Sequence, residues 1–266
     1  MDVYGLIGRP VGHSVSPAMH EAAYEALDLS AGYVTFQHEP PELQTAIEGA
    51  PALGIAGLNV TIPFKESVLE FVEPTETAAA IGAVNTIDFS ESPPVGANTD
   101  AAGARRALEH HDVDPGAGRA VVVGAGGAAR AIGHMLVSAG ATVNIANRTE
   151  QRARELAADL GATGHFLDAV PDLAADADLL INATSVGMDE DASPVPPETF
   201  HEDLVVMDAV YSPLETRFLR TAAAAGARTI DGAWMLLYQG VEAFERWTGE
   251  TAPLEAMNQA LRAQLT

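Results

Sequence analysis

The glycine-rich turn after residues 120–123 constrains the fold more than any other feature of the sequence. The run Ala-Val-Val-Val at 120–123 is followed by Gly-Ala-Gly-Gly-Ala-Ala at 124–129, and helical spacing continues through Leu136. In the pattern G-x-G-x-x-A, the first glycine permits a tight turn, the second lets backbone approach a pyrophosphate, and the small last residue allows close helix packing. A second apolar strand at 142–146 completes a βαβ unit, which predicts an α/β sheet with a dinucleotide site. The predicted cofactor-binding residues of the turn are Gly124, Ala125, Gly126, Gly127 and Ala128.

The end of that second strand favours NADP over NAD. An NAD site usually offers Asp or Glu there to the ribose hydroxyls, and an acid would repel a 2′-phosphate. This chain instead has Asn147, Arg148 and Thr149, with Arg152 nearby, which supply hydrogen-bond donors and positive charge. The alternative for Arg152 is an ordinary solvated helix residue.

The charge of the chain is extreme. Thirty-seven acids face 14 basic residues, for a formal net charge of -23, and no block of like charges appears. Such a surface repels phosphate backbones, so nucleic acid is not expected as a partner. Excess acid with almost no lysine fits a protein from a salt-loaded, halophilic cytoplasm.

Length and composition narrow the class further. The 266 residues, 47% of them apolar, suffice for one large domain or two ordinary ones. No apolar run reaches the ~20 residues of a membrane span, and no signal region is visible, so a cytoplasmic protein is expected. The absence of cysteine excludes disulfides and thiolate sites. No metal site is predicted: the eight histidines lack ligand spacing, and the acids at 189–191 are interpreted as a solvated loop.

Strand and helix patterns alternate along the chain, which predicts parallel pairing. The predicted strands are 3–7, 33–38, 57–62, 83–87, 120–123, 142–146, 178–182, 204–208 and 228–230. The predicted helices are 17–27, 41–49, one after Lys65, one near Thr75, 100–111, the helix after the glycine turn, one opening at 231–235, and 253–265. The first of these helices is expected to bury Met19, Ala22, Ala23, Ala26 and Leu27.

Lys65 is the only lysine of the chain. A partly buried lysine can give up a proton, whereas arginine does not at working pH. Asn59 and Thr61 alternate with apolar residues before Pro63 ends the strand, so these polar side chains should gather with Lys65 where α/β proteins place ligands. The alternative is a lone surface lysine after a turn.

The segment Ser14-Val15-Ser16-Pro17 joins the first strand to the first helix. Serine followed by proline is typical of a helix start, which places Ser16 at the N-cap and Pro17 at the first helical position. The free N–H groups of a helix N-terminus can bind a carboxylate, and Ser14 adds a hydroxyl. The alternative is an ordinary cap and a loop serine.

With these motifs in order, the chain resembles the shikimate dehydrogenase family along essentially its whole length. The resemblance rests on G-R-P-V-G-H-S-V-S-P at 8–17, N-V-T-I-P-F-K at 59–65, G-A-V-N-T at 82–86, N-T-D at 98–100, G-A-G-G-A-A-R at 124–130, N-R-T at 147–149, I-N-A-T-S-V-G-M at 181–188 and D-G-A-W-M-L-L-Y-Q at 231–239.

The resemblance implies two α/β domains with the active site in the cleft between them. An N-terminal α/β substrate domain would span 1–99 plus 233–266, and a Rossmann-type NADP-binding domain would span 100–232. The implied reaction is the reversible NADPH-dependent reduction of 3-dehydroshikimate to shikimate, a step of chorismate and aromatic amino-acid biosynthesis. Only small-molecule partners are implied, on a monomer or homodimer.

Roles follow by matching positions to the family. The substrate carboxylate is expected at Ser14 and Ser16 with Tyr211 nearby, and the ring hydroxyls at Thr61, Asn85 and Gln239, with Asn59 in support. Lys65 is expected to protonate the carbonyl oxygen, and Asp100 to pair with Lys65 and hold a hydroxyl. The nicotinamide is expected near Ala209 and Gly232, and Glu76 close to the cofactor.

Two alternatives remain open on the sequence. One is a quinate/shikimate dehydrogenase that uses NAD, which shares most of these motifs but is disfavoured by Arg148. The other is a non-catalytic dinucleotide-sensing module, which leaves Lys65, Asp100 and the serine pair unexplained.

Overall fold

The computed structural model describes residues 1–37 and 39–265, so the last residue of the predicted strand 33–38, His38, lies outside the described residues. The chain divides into two compact units. The first is Met1–Thr99 with Gln239–Gln264, and the second is Asp100–Tyr238. No helix within the described ranges is long and apolar enough to cross a membrane.

Strands and helices are numbered in chain order. The strands are β1 Asp2–Gly8, β2 Ala31–Gln37, β3 Ile55–Val60, β4 Glu73–Pro74, β5 Thr86–Asp88, β6 Val95–Ala97, β7 Arg119–Val123, β8 Thr142–Asn147, β9 Thr163–Phe166, β10 Leu179–Asn182, β11 Val205–Asp208 and β12 Arg228–Ile230. The helices are α1 Ser16–Ala26, α2 Leu43–Gly49, α3 Glu76–Ile81, α4 Thr99–His110, α5 Gly127–Ala139, α6 Glu150–Leu160, α7 Val170–Ala174, α8 Arg217–Ala224, α9 Gly232–Thr248 and α10 Leu254–Ala263.

The sheet of the first unit is mixed, in the order β2-β1-β3-β5-β6-β4. β1 pairs in parallel with β2 and β3, whereas β5 is antiparallel to both β3 and β6. The prediction of parallel pairing was therefore wrong for this part of the chain. The connection from β5 to β6 at 89–94 has no helix, and such a short connection joins only antiparallel neighbours.

The buried face of α1 also differs from the prediction. Its buried residues are Ser16, Met19, His20, Ala23 and Tyr24. This stripe follows the i, i+3, i+4 spacing of a core-facing helix, shifted by about one residue from the predicted face. Ala26 and Leu27 are exposed, because the helix ends there.

The sheet of the second unit is entirely parallel, in the order β12-β11-β10-β7-β8-β9. The sequence order reverses between β7 and β10, as in the doubly wound dinucleotide-binding fold, which places its ligands at the carboxyl ends of the strands at this switch point. Strands β7, β10 and β11 are buried apolar runs packed with α8 into one core. The predicted α/β class with a Rossmann-type sheet is confirmed.

The compact units divide at residue 238, whereas the predicted domain boundary lies before residue 233. Residues 233–238 group with the second unit because the start of α9 packs on the end of α4. The ring centroids of Trp234 and His110 are 4.1 Å apart, and the Tyr238 hydroxyl lies 2.9 Å from Nδ1 of His110. The assignment of substrate and cofactor to these domains stays a prediction.

Candidate active site

The glycine turn has the geometry that a bound diphosphate requires. Gly124 has φ +122°, and a Cβ there would lie 2.8 Å from the carbonyl oxygen of Ala183, so only glycine fits. At Gly126 and Gly127, by contrast, a Cβ would meet no described atom within 4 Å. Both glycines are exposed at the N-terminus of α5, where the first N–H groups of a helix lack intrahelical partners and can bind an anion.

Two arginine side chains beyond β8 are available to a phosphate. Arg148 and Arg152 are exposed, and neither side chain has an ion pair or hydrogen bond among the described residues. Neighbouring arginines are paired: Arg130 lies 3.0 Å from Asp159, and Arg154 lies 2.6 Å from Glu150 on α6. The Asn147 amide donates to the carbonyl of Thr149, 3.1 Å away, which holds the turn that carries Arg148.

The serine segment differs in one detail from the prediction. The N-cap of α1 is Val15, and Ser16 is the first helical residue, so the prediction of Ser16 as N-cap was wrong. The Ser14 hydroxyl instead accepts from the Ser16 N–H at 3.2 Å. Ser16 lies inside the helix instead, and it is only 8% exposed. Ser14 remains half-buried.

A buried amide network joins the ends of β2, β3 and β5. The Tyr33 hydroxyl donates to Oδ1 of Asn59 at 2.7 Å, and the Asn59 amide donates to the carbonyl of Asn85 and to Oγ1 of Thr86. Oδ1 of Asn85 accepts from the N–H of Thr99 at 2.7 Å. Asn59 therefore holds the backbone of Asn85 in place, and its expected role in support of the substrate-binding residues stays a prediction.

Lys65 follows a short turn after β3. The Phe64 N–H donates to the carbonyl of Thr61 at 3.0 Å, and the Phe64 ring is only 2% exposed. The carbonyl of Lys65 accepts from the N–H of Val84 at 2.7 Å. These hydrogen bonds fix the backbone from which the half-buried side chain of Lys65 extends. Asp100 lies in the first turn of α4, where the helix dipole favours a carboxylate.

The last residue of β11, Asp208, is a site residue that the sequence analysis did not identify. Asp208 is completely buried, and burial raises the pKa of its carboxyl to about 6. Three hydrogen bonds, from the Thr216 side chain, the Val210 backbone and the Asn182 side chain, lower the pKa and partly offset this effect. Sequence alone shows only the last residue of an apolar strand, so no signal marks this carboxylate.

The acidic loop at 189–191 is more than solvated surface. The Asp191 carboxylate forms an ion pair with Arg220, and its carbonyl accepts from the Arg217 guanidinium at 3.3 Å. Within the part of the chain that the structure describes, no group of three or more His, Cys, Asp or Glu could hold a metal ion.

Known proteins match the chain over its whole length. Residues 6–87 match the shikimate dehydrogenase substrate binding domain, residues 107–188 the shikimate / quinate 5-dehydrogenase family, and residues 232–262 the shikimate 5'-dehydrogenase C-terminal domain. The chain is 65% identical to the shikimate dehydrogenase (NADP(+)) of Natronomonas pharaonis and 62% identical to that of Haloarcula marismortui, with 100% of each chain covered. The chain belongs to the shikimate dehydrogenase family.

A solved structure supports the same assignment. The shikimate 5-dehydrogenase of Thermus thermophilus, crystallised with NADP(H) and shikimate, superimposes with a TM-score of 0.92 at 39% identity and covers 100% of both chains. The family resemblance and the fold class predicted from the motifs are therefore confirmed.

The predicted site residues of this chain divide between the two units. The first unit contains Ser14, Ser16, Asn59, Thr61, Lys65, Glu76, Asn85 and Gln239. The second contains Asp100, Gly124, Ala125, Gly126, Gly127, Ala128, Asn147, Arg148, Thr149, Arg152, Ala209, Tyr211 and Gly232. Within the first unit, hydrogen bonds join Ser14 to Ser16 and Asn59 to Asn85; the individual ligand-binding roles stay predictions.

Proposed function

We propose that this chain catalyses the reversible NADPH-dependent reduction of 3-dehydroshikimate to shikimate, in the biosynthesis of chorismate and the aromatic amino acids. The full-length match to relatives named for shikimate and NADP(+) carries the proposal. The open glycine turn and the two exposed arginines beyond β8 support the choice of cofactor.

The first unit is proposed to bind the substrate. Ser14 and Ser16 at the start of α1, with Tyr211, would hold the carboxylate, since hydroxyls and helix N–H groups stabilise an anion. Thr61, Asn85 and Gln239 would hydrogen-bond to the ring hydroxyls. Asn59 keeps Asn85 in place through the bond to its carbonyl.

Lys65 is proposed as the proton donor and acceptor of the reaction. NADPH supplies the hydride that reduces the C3 ketone. As the hydride arrives, the Lys65 ammonium would give its proton to the carbonyl oxygen, and in oxidation the amine would take the hydroxyl proton back. Asp100 would pair with Lys65 and hold a ring hydroxyl.

The second unit is proposed to bind NADP. The N–H groups at Gly126 and Gly127 would hold the diphosphate, with Gly124, Ala125 and Ala128 lining the turn. Arg148 and Arg152, with Asn147 and Thr149, would hold the 2′-phosphate. Ala209 and Gly232 would border the nicotinamide, and Glu76 would approach the cofactor from the first unit.

The enzyme is proposed to work in a cytoplasm of high salt, as a monomer or homodimer, with small molecules as its only ligands. Its net charge of -23 with one lysine supports the high-salt setting. The same charge disfavours nucleic acid as a partner.

The proposal is tested by absorbance at 340 nm in molar KCl, with shikimate or quinate and with NADP+ or NAD+. Reduction of NADP+ with shikimate, at a kcat/KM well above the other three combinations, is the expected result. Preference for NAD+ and quinate would identify the quinate enzyme instead. No reduction in any combination, with NADP+ still bound, would identify a dinucleotide-sensing module.

Arg148→Ala tests the choice of cofactor. Loss of a hydrogen bond to a charged group costs roughly 1.5–3 kcal/mol, so KM for NADP+ should rise about 10- to 150-fold while the weak use of NAD+ barely changes. Arg154→Ala is the matched control, because Arg154 lies on α6 and already pairs with Glu150. Equal losses with both cofactors would show that Arg148 does not bind the 2′-phosphate.

A further inference from the structure

The carboxyl edge of the second sheet contains a buried carboxylate that has no part in the roles proposed above. Asp208 ends β11 and is 0% exposed. Its Oδ1 accepts from the Asn182 amide at 2.9 Å and from the N–H of Val210 at 3.0 Å, and its Oδ2 accepts from the Thr216 hydroxyl at 2.6 Å. A buried carboxylate with three donors holds its surroundings in one arrangement.

Asn182, the partner of Asp208, ends the neighbouring strand β10 and fixes the loop that follows it. Its Oδ1 accepts from the N–H of Thr184 at 3.0 Å and from the Thr184 hydroxyl at 2.6 Å. Its amide nitrogen also donates to the carbonyl of Val186 at 3.2 Å. Side-chain bonds from this one amide therefore set residues 183–186.

The two loops held by this pair lie against the glycines of the proposed cofactor site. The Ala183 carbonyl carbon would be 3.0 Å from a Cβ at Gly124, so the first loop packs directly on the glycine turn. A Cβ at Gly232 would overlap the Val210 carbonyl, so the second loop packs directly on the start of α9. A continuous row of contacts thus runs from Gly124 through the Asn182–Asp208 pair to Gly232.

We propose that Asp208 is a positioning residue for hydride transfer, which acts with Asn182 to set the loops 183–186 and 209–211 around the reactive end of the cofactor. This inference rests on the proposed function, since Ala209 and Tyr211 are the residues expected at the nicotinamide and the substrate carboxylate. The backbone that carries both residues starts at Asp208 and is tied to it at Val210.

The contacts of Asp208 are all neutral groups. Asn182 contacts it from β10, Val210 from the following loop and Thr216 from the start of α8. The charged neighbours of Thr216, Glu215 and Arg217, are exposed. The carboxyl with a pKa of about 6 is therefore ionised in neutral solution, where it serves as acceptor for all three donors.

The test compares Asp208→Ala with Asp208→Asn and Asp178→Ala. Asp178 is the matched control, because its carboxylate accepts from the N–H of Arg119 at 2.8 Å and so lies at the opposite, amino edge of the same sheet. The readouts are kcat for shikimate per folded NADP-binding site, the Kd of NADP+, and the melting temperature, all in molar KCl.

Asp208→Ala should lower kcat up to about 10²-fold, since small misplacements near reacting atoms have effects of this size, while the Kd of NADP+ changes far less. Asp208→Asn retains an acceptor for Asn182 and Val210 and should recover most of kcat. Asp178→Ala should leave kcat unchanged. Wild-type kcat in Asp208→Ala, or equal losses in the Asn and Ala variants, would overturn the proposal.

If Asp208→Ala does not fold, Asn182→Ala tests the positioning role of Asp208 instead. It removes one of the three donors and should lower kcat with little change in the Kd of NADP+; an unchanged kcat overturns the proposal. A wild-type enzyme without turnover contradicts the proposed function itself, not the role of Asp208.

Discussion

At the scale of single residues, His20 is a neutral histidine in the core of the first unit. Its ring is 0% exposed and stacks on Tyr33, with centroids 4.4 Å apart and planes at 4°. Neither ring nitrogen has a hydrogen-bond partner among the described residues. Burial therefore lowers the pKa of His20 to about 3.

This shift makes stability depend on pH in a defined direction. The unfolded pKa is about 6.5, so only the unfolded state takes up this proton between pH 6.5 and pH 3, and stability is lost on acidification. At pH 4.5, about 2 pH units below the unfolded pKa, the free energy of unfolding should be about 3 kcal/mol lower than at neutral pH. Urea unfolding of wild type and His20→Phe at pH 7.5 and 4.5 measures it.

Asp208 also changes stability with pH, because its raised pKa makes acidification below pH 6 favour the folded state. This contribution is the same in wild type and His20→Phe, so the difference between the two proteins reports His20 alone. The variant should lose less stability than wild type between the two pH values. An identical loss in both proteins would show that His20 is not neutral and buried.

The residues that sequence reasoning identified are those whose type is unusual for their place. Lys65 is the only lysine, and Arg148 is a cation in an acidic chain, so both could be singled out from the sequence. The burial of Ser16 and the hydrogen bonds of the buried Asp208 carboxylate depend on groups on other elements, such as Thr216 at the start of α8. Such partners are set by tertiary packing, which local patterns do not contain.

At the scale of elements, the contact between β3 and α9 organises the first unit. The Trp247 indole N–H donates to the carbonyl of Ile87 at 2.9 Å, and its ring stacks on Tyr4 with centroids 5.0 Å apart. A Cβ at Gly57 would overlap this indole ring. The close approach of strand and helix therefore requires glycine at this position.

Gly57→Ala should destabilise the protein by about 1–3 kcal/mol, as overpacking of a tight core does. Gly49→Ala is the control: Gly49 ends α2, and a Cβ there meets no described atom within 4 Å, so this change should be neutral or slightly stabilising. Urea unfolding at one fixed salt concentration compares the two variants. Equal effects would contradict the packing described for Gly57.

The strands of the second unit were largely predictable, whereas its helices α6, α7 and α8 were not predicted. Buried parallel strands such as β7, β10 and β11 are continuous apolar runs, which sequence patterns identify well. β9, β4 and β6 were not predicted, because these short strands lack the continuous buried apolar run that marks β10 and β11. Whether two strands pair in parallel or antiparallel depends on the length of the segment that connects them. The mixed sheet of the first unit was therefore not predicted either.

At the scale of the whole molecule, charge is the dominant feature. A net charge of -23 on a 27.7 kDa chain opposes the compact state through self-repulsion. Ion pairs such as Arg130–Asp159 involve side chains that are 34% and 56% exposed, so they offset little of it.

Melting temperature and kcat/KM should therefore rise together from dilute buffer toward molar KCl. The screening length falls from ~10 Å at 0.1 M to ~3 Å at 1 M salt, and only the shorter length shields neighbouring carboxylates. Both ligands are anions that must approach an acidic protein. Thermal melts and initial rates across this range test the expectation, and a melting temperature that is flat or falls with salt would contradict it.

The central claim, that Lys65 transfers the proton, is tested most directly by single-turnover oxidation of shikimate with Lys65→Ala and Lys65→Arg. Proton transfer by a general acid–base group typically contributes ~10²–10⁴-fold, so Lys65→Ala should lose turnover by about that factor while NADP+ and shikimate still bind. Lys65→Arg keeps the positive charge but cannot release its proton at working pH, so it should remain equally slow. Near-wild-type turnover in the arginine variant would show that Lys65 acts through its charge alone, and near-wild-type turnover in the alanine variant would remove it from the mechanism.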